Sequence, residues 1–316
     1  MPPLGLIEVA FDPLIHLGEL SIRWQTIGIS VALLVALGVA AAIASHLPRP
    51  TRRAAVAEDR GPFPDAPSPA VATGADRLRL DDLAYIVLGS VAGAVLGGRL
   101  VHGLVFWDAY AQDPGRLLDP GSGSLSLLGA VLGGTVTAAY VGLLLRAPVR
   151  RWADAGAVPL LLVLGLGKLA QFLGGSGQGA PFDGEWAVAF LGPGPWASLN
   201  PEVAAHPAQV YESLLMLIGI PIVLGVGGPG RDLARILHPA LRRLASRVRG
   251  HGRLFAVTFT WFLLGRVLVG FTWRDEPLVG PLNAEQAVAL AILVGVVIAV
   301  AVRGARRKPA AAPASG

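Results

Sequence analysis

Seven stretches of the chain are almost entirely apolar, and each is close to the length that a bilayer demands of a helix. They lie at about residues 22–45, 83–107, 124–145, 155–175, 207–227, 254–273 and 286–302. A hydrocarbon core about 30 Å thick needs about 20 apolar residues in helical form, because lipid offers the backbone no hydrogen-bond partner. The sequence therefore predicts an all-α integral membrane protein with seven transmembrane helices.

The composition excludes several classes of protein. Charged residues make up 15% of the chain and hydrophobic residues 53%, whereas a soluble domain carries charge on roughly a quarter of its residues. The chain has no cysteine, which excludes disulfides, thiolate metal sites and a cysteine nucleophile. We expect no metal and no cofactor, and any thiol in the chemistry has to come from a substrate. The first fifteen residues lack a basic region and a cleavage site, so we expect no cleavable signal peptide.

The basic residues are distributed unevenly between the two sides of the predicted membrane. Of the 26 lysines and arginines, 20 fall in alternate connections and in the C-terminal tail. Basic residues concentrate on the cytoplasmic side, so the predicted N-terminus lies outside and the C-terminus inside. The positive charge is explained by topology, and no nucleic-acid partner is expected.

The connections divide the chain into one membrane domain, residues 1–303, and a disordered basic tail, residues 304–316. Within the domain, residues 46–81 are rich in proline and arginine and are typical of a flexible cytoplasmic linker. Residues 176–206 form the only sizeable insert on the predicted outer face and contain Trp186 and Trp196.

Small residues recur at four-residue spacing in the second and third stretches. They are Gly89, Gly93 and Gly97 in one, and Gly129, Gly133 and Thr137 in the other. Such stripes let two helices approach closely in lipid. We expect the second and third helices to pack tightly against each other.

A small set of polar side chains lies inside the apolar stretches, where each is costly and a candidate for function. The set comprises Arg99, His102, Lys168, Gln171, His206, Gln209, Glu212 and Arg266. At about 1.5 Å per residue, all of them fall in the outer half of the predicted bilayer. Three cations with one carboxylate predict a positive pocket for an anionic phospholipid headgroup. The alternatives are a purely structural role, in which the arginines snorkel or neutralise Glu212, a proton or ion relay, or a small-solute transporter.

Several short motifs resemble one family over most of the chain. They are Phe11-Asp12-Pro13, Arg23-Trp24, Leu96-Gly97-Gly98-Arg99, Ser126 with Gly129, Gly167 to Gly175, the heptapeptide His206-Pro207-Ala208-Gln209-Val210-Tyr211-Glu212, and Arg266. At these residues the chain resembles the prolipoprotein diacylglyceryl transferases, seven-span bacterial enzymes. Those enzymes move diacylglycerol from phosphatidylglycerol to the lipobox cysteine of a prolipoprotein.

The chain departs from the family pattern at its catalytic positions. The family tyrosine and histidine correspond to Gln25 and Leu128, and the glutamate four residues after the span-six arginine corresponds to Gly270. The family motif Gly-Arg-x-Gly-Asn is replaced by one that carries Lys168 and Gln171. Phosphate-binding residues are retained, whereas the usual base is absent.

The resemblance implies a divergent diacylglyceryl transferase of the bacterial inner membrane, with its site facing the outer leaflet. The acceptor is a lipobox cysteine or another group at the outer face. The alternative is an inactive family member that binds phospholipid or prolipoprotein. We predict His102 and His206 as catalytic candidates. The predicted headgroup-binding residues are Arg99, Lys168, Gln171, Arg266, Gln209 and Glu212. The expected partners are an anionic phospholipid such as phosphatidylglycerol, membrane lipid, and a prolipoprotein signal peptide.

Overall fold

The computed structural model describes residues 6–46, 78–117, 125–198, 200–227 and 252–306. Seven long helices lie within these ranges. They are α1 Trp24–His46, α2 Leu80–Val105, α3 Leu127–Leu144, α4 Val149–Leu173, α5 Ala208–Gly227, α6 Arg253–Gly270 and α7 Ala284–Arg306. Each coincides with one predicted apolar stretch. Most of the predicted linker 46–81, the basic connection after α5 and the end of the tail lie outside the described residues.

Six of these helices, α1 to α6, are long and apolar enough to cross a membrane, judged by length and composition within the described ranges. Helix α7 carries a shorter apolar segment, Ala284–Ala299. The prediction of an all-α membrane protein is confirmed at this level.

Helices α2 and α3 pack closely along their glycine stripes, as the sequence predicted. A Cβ atom added to Gly97 would lie 2.8 Å from Cα of Gly133, and one added to Gly133 would lie 2.9 Å from Cα of Gly97. Thr137 directs its hydroxyl back to the Gly133 carbonyl at 2.9 Å. Only glycine permits this approach of the two backbones.

The main hydrophobic core lies among α3, α4, α5, α6 and α7. Its fully buried side chains include Leu128, Leu161, Met216, Phe262 and Leu263. Asp154 of α4 links two of these helices, because its carboxylate accepts hydrogen bonds from the backbone N–H groups of Gly252 at 2.7 Å and Phe255 at 3.2 Å. These contacts satisfy N–H groups at the start of α6 that no turn of the helix can satisfy.

Within the described residues, six short strands in three two-stranded sheets lie before α1 and in the connections between helices, and the sequence analysis predicted none of them. They are β1 Ile7–Val9, β2 Leu14–Leu17, β3 Leu20–Arg23, β4 Val188–Phe190, β5 Pro277–Val279 and β6 Leu282–Asn283. Strands of two to four residues are too short to give a recognisable alternation of polar and apolar residues. The helical assignment of the membrane part is unaffected.

Three segments come together at one end of the helix bundle, and we call them the cap: residues 6–23, 174–207 and 271–283. Strand β1 pairs in parallel with β4, and the Arg23 guanidinium donates to the Pro195 carbonyl at 2.9 Å. Arg274 donates to Oε1 of Gln178 at 2.9 Å. Trp196 packs on Phe11 and Phe190, with ring centroids 5.6 and 4.9 Å apart. The predicted insert 176–206 is therefore one part of a larger cap.

Candidate functional site

A buried ion pair network joins three helices near their cap ends. Nζ of Lys168 lies 2.9 Å from Oε2 of Glu212, and Nη1 of Arg266 donates to Oε1 of Glu212 at 2.7 Å. The exposed fractions of these side chains are 8%, 1% and 6% for Lys168, Glu212 and Arg266. Lys168 is near the end of α4, Glu212 near the start of α5 and Arg266 near the end of α6. The structure thus brings three predicted site residues into direct contact.

The network continues to a fourth helix through Glu285, which the sequence analysis did not select. Nη2 of Arg266 donates to Oε2 of Glu285, and Oγ of Ser126 donates to Oε1 of the same carboxylate at 2.5 Å. Ser126 is also the N-cap of α3, where it accepts from the Gly129 N–H at 3.0 Å. The seventh apolar stretch was set to begin at residue 286, so Glu285 fell one residue outside it. Its position as the acid in the first turn of α7 was the signal that could have found it.

Glu285 corrects the predicted charge of the site. The sequence placed one carboxylate among three cations, whereas the structure pairs Lys168 and Arg266 with the two carboxylates of Glu212 and Glu285. Buried charges are tolerated where each has an opposite partner. The four charged residues Lys168, Arg266, Glu212 and Glu285 are therefore balanced in charge.

Aromatic and loop residues of the cap cover the network. The ammonium group of Lys168 lies over the ring of Trp273, 4.6 Å from its centroid. Asp275 interacts electrostatically with Arg266 and Lys168, and partial burial raises the pKa of its carboxyl group. Among the described residues, Nε of Arg266 and Nε1 of Trp273 are buried without a hydrogen-bond acceptor. Such donors are uncommon in folded proteins.

Arg99 and His102 lie three residues apart near the cap end of α2, and both are half-buried. The His102 ring packs on Phe106 with centroids 4.6 Å apart, and more loosely on Tyr110 at 6.0 Å. Arg99 and Glu285 are both close enough to His102 to act on it electrostatically. The polar end of α2 therefore borders the network on the side of Glu285.

Gln209 and His206 hold the cap and do not join the ion pairs. Nε2 of Gln209 donates to the carbonyl groups of Ser176, at 3.0 Å, and Gly177. The His206 ring stacks on Phe182 with centroids 4.0 Å apart, and burial lowers the pKa of His206. Gln171 is half-buried on α4, one helical turn beyond Lys168.

The three positions that the sequence analysis interpreted as departures from the family pattern are filled by groups that belong to the fold. Leu128 is fully buried in the main core, and Oε1 of Gln25 accepts a hydrogen bond from Oγ of Ser176. A Cβ atom on Gly270 would lie 2.5 Å from Cδ of Gln286. A side chain at position 270 would thus require Gln286 to move, and Glu285, beside it, supplies a carboxylate to Arg266.

Comparison with known proteins identifies the family. The protein-family model described as prolipoprotein diacylglyceryl transferase matches residues 66–302 of the chain. Similar proteins named phosphatidylglycerol–prolipoprotein diacylglyceryl transferase include those of Trichormus variabilis and Symbiobacterium thermophilum. The first is 27% identical over 91% of this chain and 88% of its own length, and the second is 29% identical over 89% of this chain and 90% of its own length. A third, from Geobacter sulfurreducens, is 29% identical over 73% of this chain and 81% of its own length. The chain therefore belongs to the prolipoprotein diacylglyceryl transferase family.

Proposed function

We propose that this protein transfers the diacylglyceryl group of phosphatidylglycerol to the lipobox cysteine of a prolipoprotein. Family membership supports the reaction. The observation that carries the proposal is the buried network, in which Glu212 holds Lys168 and Arg266 together at the cap end of the bundle. Cations fixed in advance in a site with little water stabilise charge that develops in a transition state.

The reaction requires a nucleophile, a base and a site for the leaving group. The cysteine sulfur attacks a glycerol carbon, the carbon–oxygen bond to phosphate breaks, and glycerol phosphate leaves with the electron pair. Arg99, Lys168 and Arg266 are the proposed cations for the phosphate oxygens. Glu212 fixes two of them, while Gln209 and Gln171 shape the neighbouring wall.

His102 is the proposed base for the cysteine thiol. Histidine titrates near neutral pH, and His102 is half-buried beside Arg99, close to where a leaving phosphate would be held. His206 is the second candidate, from the cap. It could meet the signal peptide at the membrane surface, but its stacking on Phe182 favours a role in holding the cap.

We also propose that all seven helices cross the bacterial inner membrane, with residues 1–303 forming the membrane domain and residues 304–316 a cytoplasmic tail. Helix α7 has 23 residues, and at about 1.5 Å per residue it is long enough for a core about 30 Å thick. The biased distribution of basic residues supports an external N-terminus and a cytoplasmic C-terminus. This orientation places the cap outside and the network in the outer leaflet.

Reporter fusions test the orientation. A reporter fused after Lys308 should be cytoplasmic, and one inserted near Pro193 in the cap should lie outside. An external signal from the C-terminal fusion would mean that the orientation is reversed. The network would then lie in the inner leaflet, and the proposed access from the outer leaflet would be wrong.

The alternative function is that of an inactive family member that binds phospholipid or prolipoprotein, and two observations favour it. Leu128, which replaces the family histidine, is fully buried in the core, so no base can act from that position. Gln25, which replaces the family tyrosine, is engaged with Ser176. Under this alternative the site binds substrate without turning it over.

A transfer assay separates the two functions. Purified protein is mixed with phosphatidylglycerol and a lipobox peptide, and the mass increase of a diacylglyceryl group is measured. Transfer by the native protein and its loss in His102→Phe would support the enzyme and its base. Equal transfer by the variant would exclude His102, and no transfer to any peptide would favour the inactive member.

Lipid retention provides an independent test of headgroup binding. Arg99→Ala should weaken retention of phosphatidylglycerol more than retention of phosphatidylethanolamine, because only the first headgroup carries a net negative charge. Arg99→Ala keeps both contacts of Glu212 intact, whereas removing Lys168 or Arg266 would leave Glu212 without one of its buried partners. Equal loss of both lipids would contradict a phosphate contact.

A further inference from the structure

Glu285 is the most accessible member of the ion pair network. Its side chain is 16% exposed, compared with 1% for Glu212 and 6% for Arg266. Its two carboxylate oxygens accept from Arg266 and from Ser126. A group that enters the site therefore meets Glu285 before it meets the deeper carboxylate.

The guanidinium of Arg266 has two sides, and the carboxylates that they face differ in exposure. Nη1 faces Glu212, which is sealed in the bundle, whereas Nη2 faces Glu285. Nε of Arg266 has no acceptor but is fully buried, so a phosphate that approaches Arg266 from outside the network can bond to Nη2 by taking the place of Glu285. The exchange is chemically matched, because phosphate and carboxylate oxygens accept the same hydrogen bonds from guanidinium and hydroxyl donors.

We propose that Glu285 is a competing counter-ion of the headgroup site, and this proposal rests on the proposed function. Before the lipid binds, Glu285 positions Arg266 and Ser126. When phosphatidylglycerol binds, its phosphate displaces the carboxylate from both donors. After transfer, Glu285 returns to Arg266 and helps to release the phosphate product.

The chemical step gives the competition between Glu285 and phosphate for Arg266 a role in product release. The thiol proton passes to the base, the sulfur–carbon bond forms, and the carbon–oxygen bond to phosphate breaks. The phosphodiester carries one negative charge, whereas the glycerol phosphate that leaves can carry two, so the product binds cations more strongly than the substrate does. A resident carboxylate weakens the binding of this dianionic product and so favours its release, because it competes for Arg266.

Glu285→Gln is the decisive variant, since it keeps the shape of the side chain and removes its charge. We expect it to bind phosphatidylglycerol in nanodiscs, and glycerol 1-phosphate in solution, about tenfold more tightly, which corresponds to about 1.4 kcal/mol. Phosphatidylethanolamine binding should change less. The kcat of the Glu285→Gln variant should fall because product release becomes slower, and its KM for phosphatidylglycerol should fall as well. A purely structural role for Glu285 predicts the opposite, weaker binding.

Glu276→Gln is the matched control, because it removes an exposed carboxylate from the connection that leads into α7 and should leave both affinities unchanged. Unchanged or weaker binding in a folded Glu285→Gln protein would overturn the proposal. If that variant does not fold, Glu285→Asp withdraws the carboxylate by one methylene, and binding tighter by about threefold, or about 0.7 kcal/mol, is expected. Unchanged or weaker binding would again overturn the proposal. If the native protein transfers nothing, the proposed function fails, while the affinities still decide the role of Glu285.

Discussion

Replacing Glu212 by glutamine should destabilise the protein more than most single substitutions do. Glu212 contacts two cations, Lys168 at 2.9 Å and Arg266 at 2.7 Å, and its side chain is 1% exposed. In the variant Arg266 keeps Glu285, but Lys168 loses its direct carboxylate contact and keeps the face of the Trp273 ring and the longer-range interaction with Asp275. Leaving one buried charge without its partner costs about 3–5 kcal/mol, and we expect a loss of stability in this range.

A double variant shows whether the cost arises from charge. Lys168→Met with Glu212→Gln removes one cation and one carboxylate together, so the network remains balanced. We expect the double variant to be more stable than the sum of the single effects predicts by about 2 kcal/mol, which is within the range for residues in contact. Replacing a buried pair by residues of similar size is often close to neutral.

Chemical unfolding in detergent micelles measures these differences. Glu276→Gln serves as the control for removing an exposed carboxylate, and it should stay within about 0.5 kcal/mol of the native protein. A cost below about 1 kcal/mol for Glu212→Gln, or strict additivity in the double variant, would refute the electrostatic account.

Three further predictions concern helix packing, the cap and helix α6. Gly97→Ala should lower stability by about 1–3 kcal/mol through overpacking against α3, whereas Gly38→Ala, which meets no atom within 4 Å, should have little effect in the same unfolding assay. Burial lowers the pKa of His206, so its contribution to stability is present above the ordinary pKa of about 6.5 and is lost as the pH falls through the lower folded value. In melting curves between pH 5 and 8, His206→Phe should flatten this dependence while keeping the contact with Phe182. Asp154→Ala should lower the free energy of unfolding by about 1 kcal/mol, because it removes the acceptor for the backbone N–H groups of Gly252 and Phe255 at the start of α6. An unchanged melting temperature would contradict that role.

The positions of the helices and part of the site were predictable from local sequence. Apolar length located the membrane helices, and the cost of burying charge in lipid selected Lys168, Glu212 and Arg266. Glu285 was missed because helix boundaries are the least certain feature of a sequence pattern. The pairing of β1 with β4 was missed for a different reason, since three-residue strands far apart in the chain leave no local pattern. The partners of Gln209 were also unpredictable, because they are backbone carbonyl groups of the cap.

The pairing of β1 with β4 has a consequence for the order in which the protein is made. About 180 residues separate Ile7 from its partner Val188, so the ribosome has to complete four helices before β1 can pair. Contacts between such distant parts of a chain form late, because a long loop has to close first. The N-terminal segment therefore remains unpaired during insertion, and the cap can close over the ion pairs only when membrane assembly is well advanced.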